Sequence, residues 1–147
     1  MTPYYADDLV TIYHGDARDA LMGLHADLLL TDPPYGIGIA SNPFRQRFAS
    51  QDWDAKAVSP GLLRECMAHA DHAIIWGGNY FDLPAHQRFL VWDKEQPEDF
   101  SSAMVEQAWT SLDGPAKLCR RRVVGSQQWH PTQEPGELMA GCVGLGR

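Results

Sequence analysis

The residues with the clearest chemical potential are Thr31-Asp32-Pro33-Pro34-Tyr35-Gly36. Asp32 offers a carboxylate that accepts an amine N–H. The Pro33 carbonyl offers a second acceptor, and two successive prolines fix φ, so that carbonyl is preset. Tyr35 supplies a flat face for a planar ring, and Gly36 lets backbone and ligand approach closely. An exocyclic amine on a heteroaromatic ring is a poor nucleophile, because its lone pair is delocalised into the ring. Two acceptors that hold its hydrogens draw the lone pair outward, by positioning and electrostatic preorganisation and without covalent catalysis. Asp32 need not be a strong base, since the proton can leave after the new bond forms. A plainer reading makes Pro33-Pro34 a strand terminator and Asp32 a turn residue. The apolar run before the motif and the Tyr-Gly after it favour the chemical reading.

The elements that must position this corner alternate between strand and helix. Leu9 to Tyr13 reads as a strand that stops at His14-Gly15-Asp16. Asp16 then N-caps a short helix to Leu24. Ala26 to Thr31 contains Leu28-Leu29-Leu30, which suits a strand buried on both faces of a parallel sheet. From Ile37 to Val58 the sequence is polar and irregular, as functional loops are. Ser59-Pro60-Gly61 opens a helix to about Ala70, with Leu62, Leu63, Cys66 and Met67 inward.

Ala73 to Trp76 and Phe89 to Trp92 read as further buried strands. Ser101 to Leu112 reads as an amphipathic helix with Met104, Val105, Ala108 and Trp109 inward. Ala116 to Val124 reads as a strand, and Glu134 to Cys142 as a closing helix. This rhythm predicts an α/β fold, a partial Rossmann-like sheet with helices on both faces, in one domain over residues 1–147. Such sheets bind ligands outside the carboxyl ends of their strands, where Asp16, Asp32, Gly77 and Lys94 are expected.

The 147 residues, 44% hydrophobic and 21% charged, suit a soluble domain with its own core. No apolar run approaches the roughly 20 residues that cross a bilayer, and the acidic N-terminus lacks a signal-peptide pattern. A cytoplasmic location without a membrane partner is expected. Cys66, Cys119 and Cys142 lie far apart with no Cys-x-x-Cys pair, so free thiols and no metal site are expected. His69 and His72 are close in sequence, but a helix-end cap suits them better than metal ligation. The net charge of -7 runs against gripping DNA by its phosphates. Positive charge is local, in Lys117, Arg120, Arg121 and Arg122 and in Arg45 and Arg47, and such a cluster by itself reads as a solvated face.

Several blocks in one order carry a resemblance: His14-Gly15-Asp16-Ala17, Thr31 to Gly36, Ile74 to Phe81, Leu90 to Lys94, and His130-Pro131-Thr132-Gln133. The chain is similar to the DNA amino-methyltransferases that act on adenine N6 or cytosine N4. The likeness is to their circularly permuted group, whose catalytic half precedes the cofactor half, and to small phage and prophage adenine methylases in particular. The resemblance implies a site-specific enzyme that moves a methyl group from S-adenosylmethionine to N6 of an adenine flipped out of double-stranded DNA. Adenine is favoured because Asp is the commoner first residue of the motif in the adenine enzymes.

Catalytic roles then fall to Asp32, Pro33, Pro34 and Tyr35, and cofactor contacts to Asp16, Asp32, Thr132 and Gln133. The resemblance and the charge pattern together give Tyr35, Trp53, Arg45, Arg47, Lys94, Arg120, Arg121 and Arg122 as DNA contacts.

Two departures bear on activity. Glu134 stands where the family has Lys, which reverses a charge near the expected cofactor site. The family also continues into a strand and a Phe-x-Gly-x-Gly turn, whereas Gly141 to Arg147 has glycines without that context. The rival expectation is a truncated or degenerate methylase, binding DNA or a partner without catalysis. A second copy or a second subunit could also complete the cofactor site, and an uncovered sheet edge would favour self-association. RNA and protein glutamine methyltransferases share the Asn/Asp-Pro-Pro-Tyr idea but fit the block order less well.

Overall fold

The structure is a computed structural model that describes residues 1–38, 52–99, 103–122 and 134–146. A small antiparallel sheet, β1 (Tyr5–Ala6) and β2 (Thr11–Ile12), precedes helix α1 (Ala17–Leu21). The main sheet has five strands: β3 (Ala26–Thr31), β4 (Ala70–Trp76), β5 (Phe89–Asp93), β6 (Val105–Thr110) and β7 (Lys117–Arg120). Helix α2 (Pro60–Ala68) joins β3 to β4, and α3 (Gly136–Leu145) follows β7.

Strand order is β3-β4-β6-β5-β7. β3 is parallel to β4 and β5 to β7, while β6 runs antiparallel to both of its neighbours. The fold is therefore mixed α/β, and the carboxyl ends of β3, β4, β5 and β7 share one edge of the sheet with the start of β6.

Side chains alternate across a strand, and β4 shows what each face meets. Ile74 and Trp76 join Leu90, Trp92, Ala108, Leu138 and Cys142, so α3 covers that face. Ala73 and Ile75 join Leu63, so α2 covers the other. Helices α2 and α1 start as their sequences direct. The Ser59 hydroxyl accepts the Leu62 N–H at 3.2 Å, with Pro60 at the first turn. Asp16 accepts the Arg18 N–H at 3.0 Å at the head of α1. His69 follows α2 as its C-cap, with its ring Nδ1 2.8 Å from the Leu24 carbonyl oxygen.

Four expectations change. The segment read as a helix from Ser101 to Leu112 contains strand β6. Ala108 and Trp109 fit a helical stripe, but β4 and β5 offer hydrogen-bonding ladders on both sides, and Ala108 and Thr110 are buried by alternation. β2 lies outside the main sheet, so Asp16 is not at a carboxyl end of that sheet. Leu28, Leu29 and Leu30 are only half-buried, because β3 is an edge strand among the described residues. The closing helix α3 runs to Leu145, past the expected end at Cys142, and takes in Gly144. No helix among the described residues is long and apolar enough to cross a membrane.

Candidate active site

Asp32, Gly77 and Lys94 directly follow β3, β4 and β5, and Glu106 lies in the first turn of ladder on β6 opposite Trp92. Strand direction alone thus gathers Asp32, Gly77, Lys94 and Glu106 at one sheet edge.

The motif loop is clamped by the segment that returns toward α2. Pro33 is buried, and the Pro34 carbonyl accepts the Val58 N–H at 3.0 Å. Tyr35 bridges Ala57. Asp54, 1% exposed, accepts the Gly36 N–H at 2.8 Å through its carboxylate and the Gly38 N–H at 3.2 Å through its carbonyl. Gly36 has φ 74°, and a Cβ there would meet the Ala57 nitrogen at 2.5 Å, so the clamp requires glycine. No hydrogen bond to the Pro33 carbonyl is found among the described residues.

Tyr35 does two things at once. Its hydroxyl donates to the Asp32 carboxylate. Its ring stacks on Tyr80, with centroids 4.7 Å apart and planes at 13°, and meets the Phe81 ring edge-on at 6.1 Å. The face reserved above for a planar ligand is therefore covered by Tyr80 in this conformation. The tyrosine hydroxyl is held protonated far above its ordinary value by burial, with Asp32 adding to the effect. It is a permanent donor.

Asp32 remains open to solvent on one side, yet the protein around it removes enough water to raise its carboxyl above the ordinary range. The Tyr35 hydrogen bond and Lys94 pull it down, while Glu106 and Asp54 raise it. The outcome is a more basic carboxylate aimed by a tyrosine, a better acceptor for an amine hydrogen.

Lys94 pairs with Glu106 and lies 4.9 Å from the Trp92 ring centroid. Glu134, just before α3, has both carboxyl oxygens shut off from solvent and without a hydrogen-bond partner among the described residues. Loss of water is the main cause that pushes its carboxyl up to about 8, with repulsion from Asp32 and Glu106 second and Lys94 opposing. At neutral pH it is mostly the neutral acid, so Asp32 and Glu106 face one lysine and the site carries a small negative excess.

A pH dependence follows. Because the folded chain holds the Glu134 proton more tightly than an ordinary glutamate of value 4.5, stability falls as pH rises from about 4.5 to about 8 and then levels off. Glu134→Gln cannot ionise. It should match the wild type near pH 4.5 and exceed it increasingly toward pH 8, by up to a few kcal/mol. Urea midpoints measured across that range check it, and a gap that shrinks with pH would contradict the buried acid.

The remaining predicted site residues are dispersed. The Asp16 carboxylate caps α1 and pairs with Arg18 at 3.2 Å. Arg120 pairs with Asp93 at 3.3 Å and Arg121 with Glu137 at 3.2 Å, both on exposed side chains, and Arg122 is exposed. Trp53 is 38% exposed beside the clamp residue Asp54. Arg45, Arg47, Thr132 and Gln133 lie outside the described residues. Among the described residues no group of three or more His, Cys, Asp or Glu side chains could hold a metal ion. Sequence reasoning missed Asp54, Tyr80 and Glu106 as site residues. For Tyr80 a signal existed, an aromatic after a Gly-Gly turn at a strand end. Comparisons with protein-family models, with curated proteins and with solved structures find no match to this chain.

Proposed function

We propose that the chain receives the exocyclic amine of a flipped DNA base, adenine N6 in the first instance, and presents it for methylation by S-adenosylmethionine on a partial Rossmann-like sheet. The observation that carries this reading is the Asp32–Tyr35 pair at the carboxyl end of β3, fixed by the Asp54 clamp. Asp32 accepts one amine hydrogen and the Pro33 carbonyl accepts the other. The Tyr35 hydroxyl holds the Asp32 carboxylate in one orientation, and the buried Pro33 and clamped Gly36 keep the loop from relaxing. This is catalysis by preorganised acceptors. Bound S-adenosylmethionine would supply an electrophilic methyl on a cationic sulfur, which suits the negative excess of Asp32 and Glu106 over Lys94. After transfer, Asp32 is the nearest group able to take the amine proton. Of the arginines expected at DNA phosphates, Arg122 is exposed, and Arg120 and Arg121 would leave their pairs with Asp93 and Glu137 to reach them.

A second reading is a chain that binds DNA or a partner chain without turnover. It is favoured by Asp16, whose carboxylate is engaged in capping α1 and in the pair with Arg18. One experiment separates the two: titrate S-adenosylmethionine into the chain by calorimetry, then incubate the mixture with DNA and count labelled methyl groups on the DNA. Binding with transfer supports the first reading. Absence of both supports the second.

A further inference from the structure

The aromatic pair at the site gives a role to Tyr80 that rests on the base-binding reading above. We propose that Tyr80 is a placeholder for the base: its ring covers the Tyr35 face on which a planar base stacks, and the base enters as Tyr80 swings into an adjoining cavity.

The two rings differ sharply in freedom. Tyr35 is pinned by its hydroxyl on Asp32, by the Phe81 edge, and by Gly77, where a Cβ would fall 2.1 Å from the ring. Tyr80 is 48% exposed and its hydroxyl has no hydrogen bond among the described residues. It ends the short 3-10 turn Gly78–Tyr80, which is led by Gly77 in the left-handed region and followed by extended Phe81. Of the contacts the Tyr80 ring makes, the stack on Tyr35 is the closest aromatic one. The stack, 4.7 Å and 13°, is the arrangement a base would adopt on Tyr35.

A destination for the ring exists. A cavity of about 240 Å³ adjoins Tyr80 and is lined by Phe81, Val58, Leu63 and Met67 with Arg64 and Asp82, but not by Tyr35. An apolar cavity of about 150 Å³ is already enough for a benzene ring. Tyr80 can therefore exchange its stack on Tyr35 for contact with Leu63, Met67 and Phe81 in that cavity. Base binding then competes with the Tyr35–Tyr80 stack.

The test uses a short oligothymidylate with one central 2-aminopurine, whose fluorescence is quenched by stacking on an aromatic ring. Wild type should bind and quench it. Tyr80→Ala should bind about 3- to 10-fold more tightly, the scale of one lost aromatic pair, with at least equal quenching. Tyr80→Leu, which keeps more bulk in the turn, should do the same, and Tyr80→Phe should stay within about twofold of wild type because it still stacks. Circular dichroism confirms that each variant is folded. Weaker binding by Tyr80→Ala and Tyr80→Leu would make Tyr80 a second leaf of a clamp, and unchanged binding would make it a bystander. Either overturns the placeholder while leaving the base site intact. No quenching by wild type or by either variant overturns the base site, and the placeholder with it.

Discussion

Replacing Asp32 by alanine is expected to lower methyl transfer to DNA by at least about 100-fold, the scale seen when one preorganised acceptor or donor is removed from a reacting centre. The same change should leave the thermal midpoint at neutral pH equal to that of wild type or slightly above it. The two effects have one origin. The fold raises the Asp32 carboxyl above its ordinary value through lost water and through Glu106, which means that its charge is held at a cost. Removing the carboxylate relieves that cost, offset in part by the acceptor lost to the Tyr35 hydroxyl, and leaves Tyr35 stacked on Tyr80 and edged by Phe81. Asp32→Asn is the sharper variant. It keeps an acceptor for the Tyr35 hydroxyl but loses the charge, so transfer should fall while the ring geometry persists. Single-turnover label transfer and thermal melts of the three proteins check both halves. Transfer that survives Asp32→Ala would remove Asp32 from the chemistry.

Gly77→Ala is expected to cost about 3 kcal/mol of stability and to disable the site. Gly77 has φ 66°, a left-handed conformation that costs a residue with Cβ about 1–2 kcal/mol. The added methyl would also sit 2.1 Å from Tyr35 Cε1 and 2.4 Å from Cζ. Relief of that overlap costs about 1–3 kcal/mol more, and it must come from the ring, because Gly77 follows the fully buried Trp76 and its N–H donates to the Gln107 carbonyl at 2.9 Å. A shift of the ring carries the hydroxyl off Asp32, and a misplacement of about 1 Å can lower a rate about 100-fold. Gly23→Ala is a built-in comparison. Its φ is 80°, but nothing lies within 4 Å of the added Cβ, so only the backbone part of the cost remains. Urea denaturation of both variants separates strain from overlap. Equal losses would mean that Tyr35 yields without cost.

What could be read from the sequence was what is decided locally. Ser59 and Pro60 announce a helix start wherever they stand before an apolar stripe, and Asp16 announces its cap in the same way. The Leu28–Leu30 and Ile74–Trp76 runs announce strands for the same reason. Residues 105–110 read as helix because Met104, Val105, Ala108 and Trp109 satisfy a period of 3.6 and not the alternation of a strand. The decision came from β4 and β5, which lie elsewhere in the chain.

The site divides along the same line. Asp32, Pro33 and Tyr35 are contiguous and could be named together. Asp54 lies 18 residues from the Gly36 N–H that it holds, and Tyr80 lies 45 residues from the ring that it covers (80 less 35). No local pattern encodes either distance. Glu134 was visible as an unusual charge, but that it is a buried neutral acid depends first on packing that removes its water and then on strands that bring Asp32 and Glu106 to it.

The central claim is that the Asp32–Tyr35 corner receives an exocyclic amine. The most direct measurement incubates the chain with methyl-labelled S-adenosylmethionine and DNA, digests the DNA to nucleosides, and identifies the labelled product. Label in N6-methyl-2′-deoxyadenosine is the predicted result. Unlabelled DNA, or label on a ring carbon of cytosine, would contradict it.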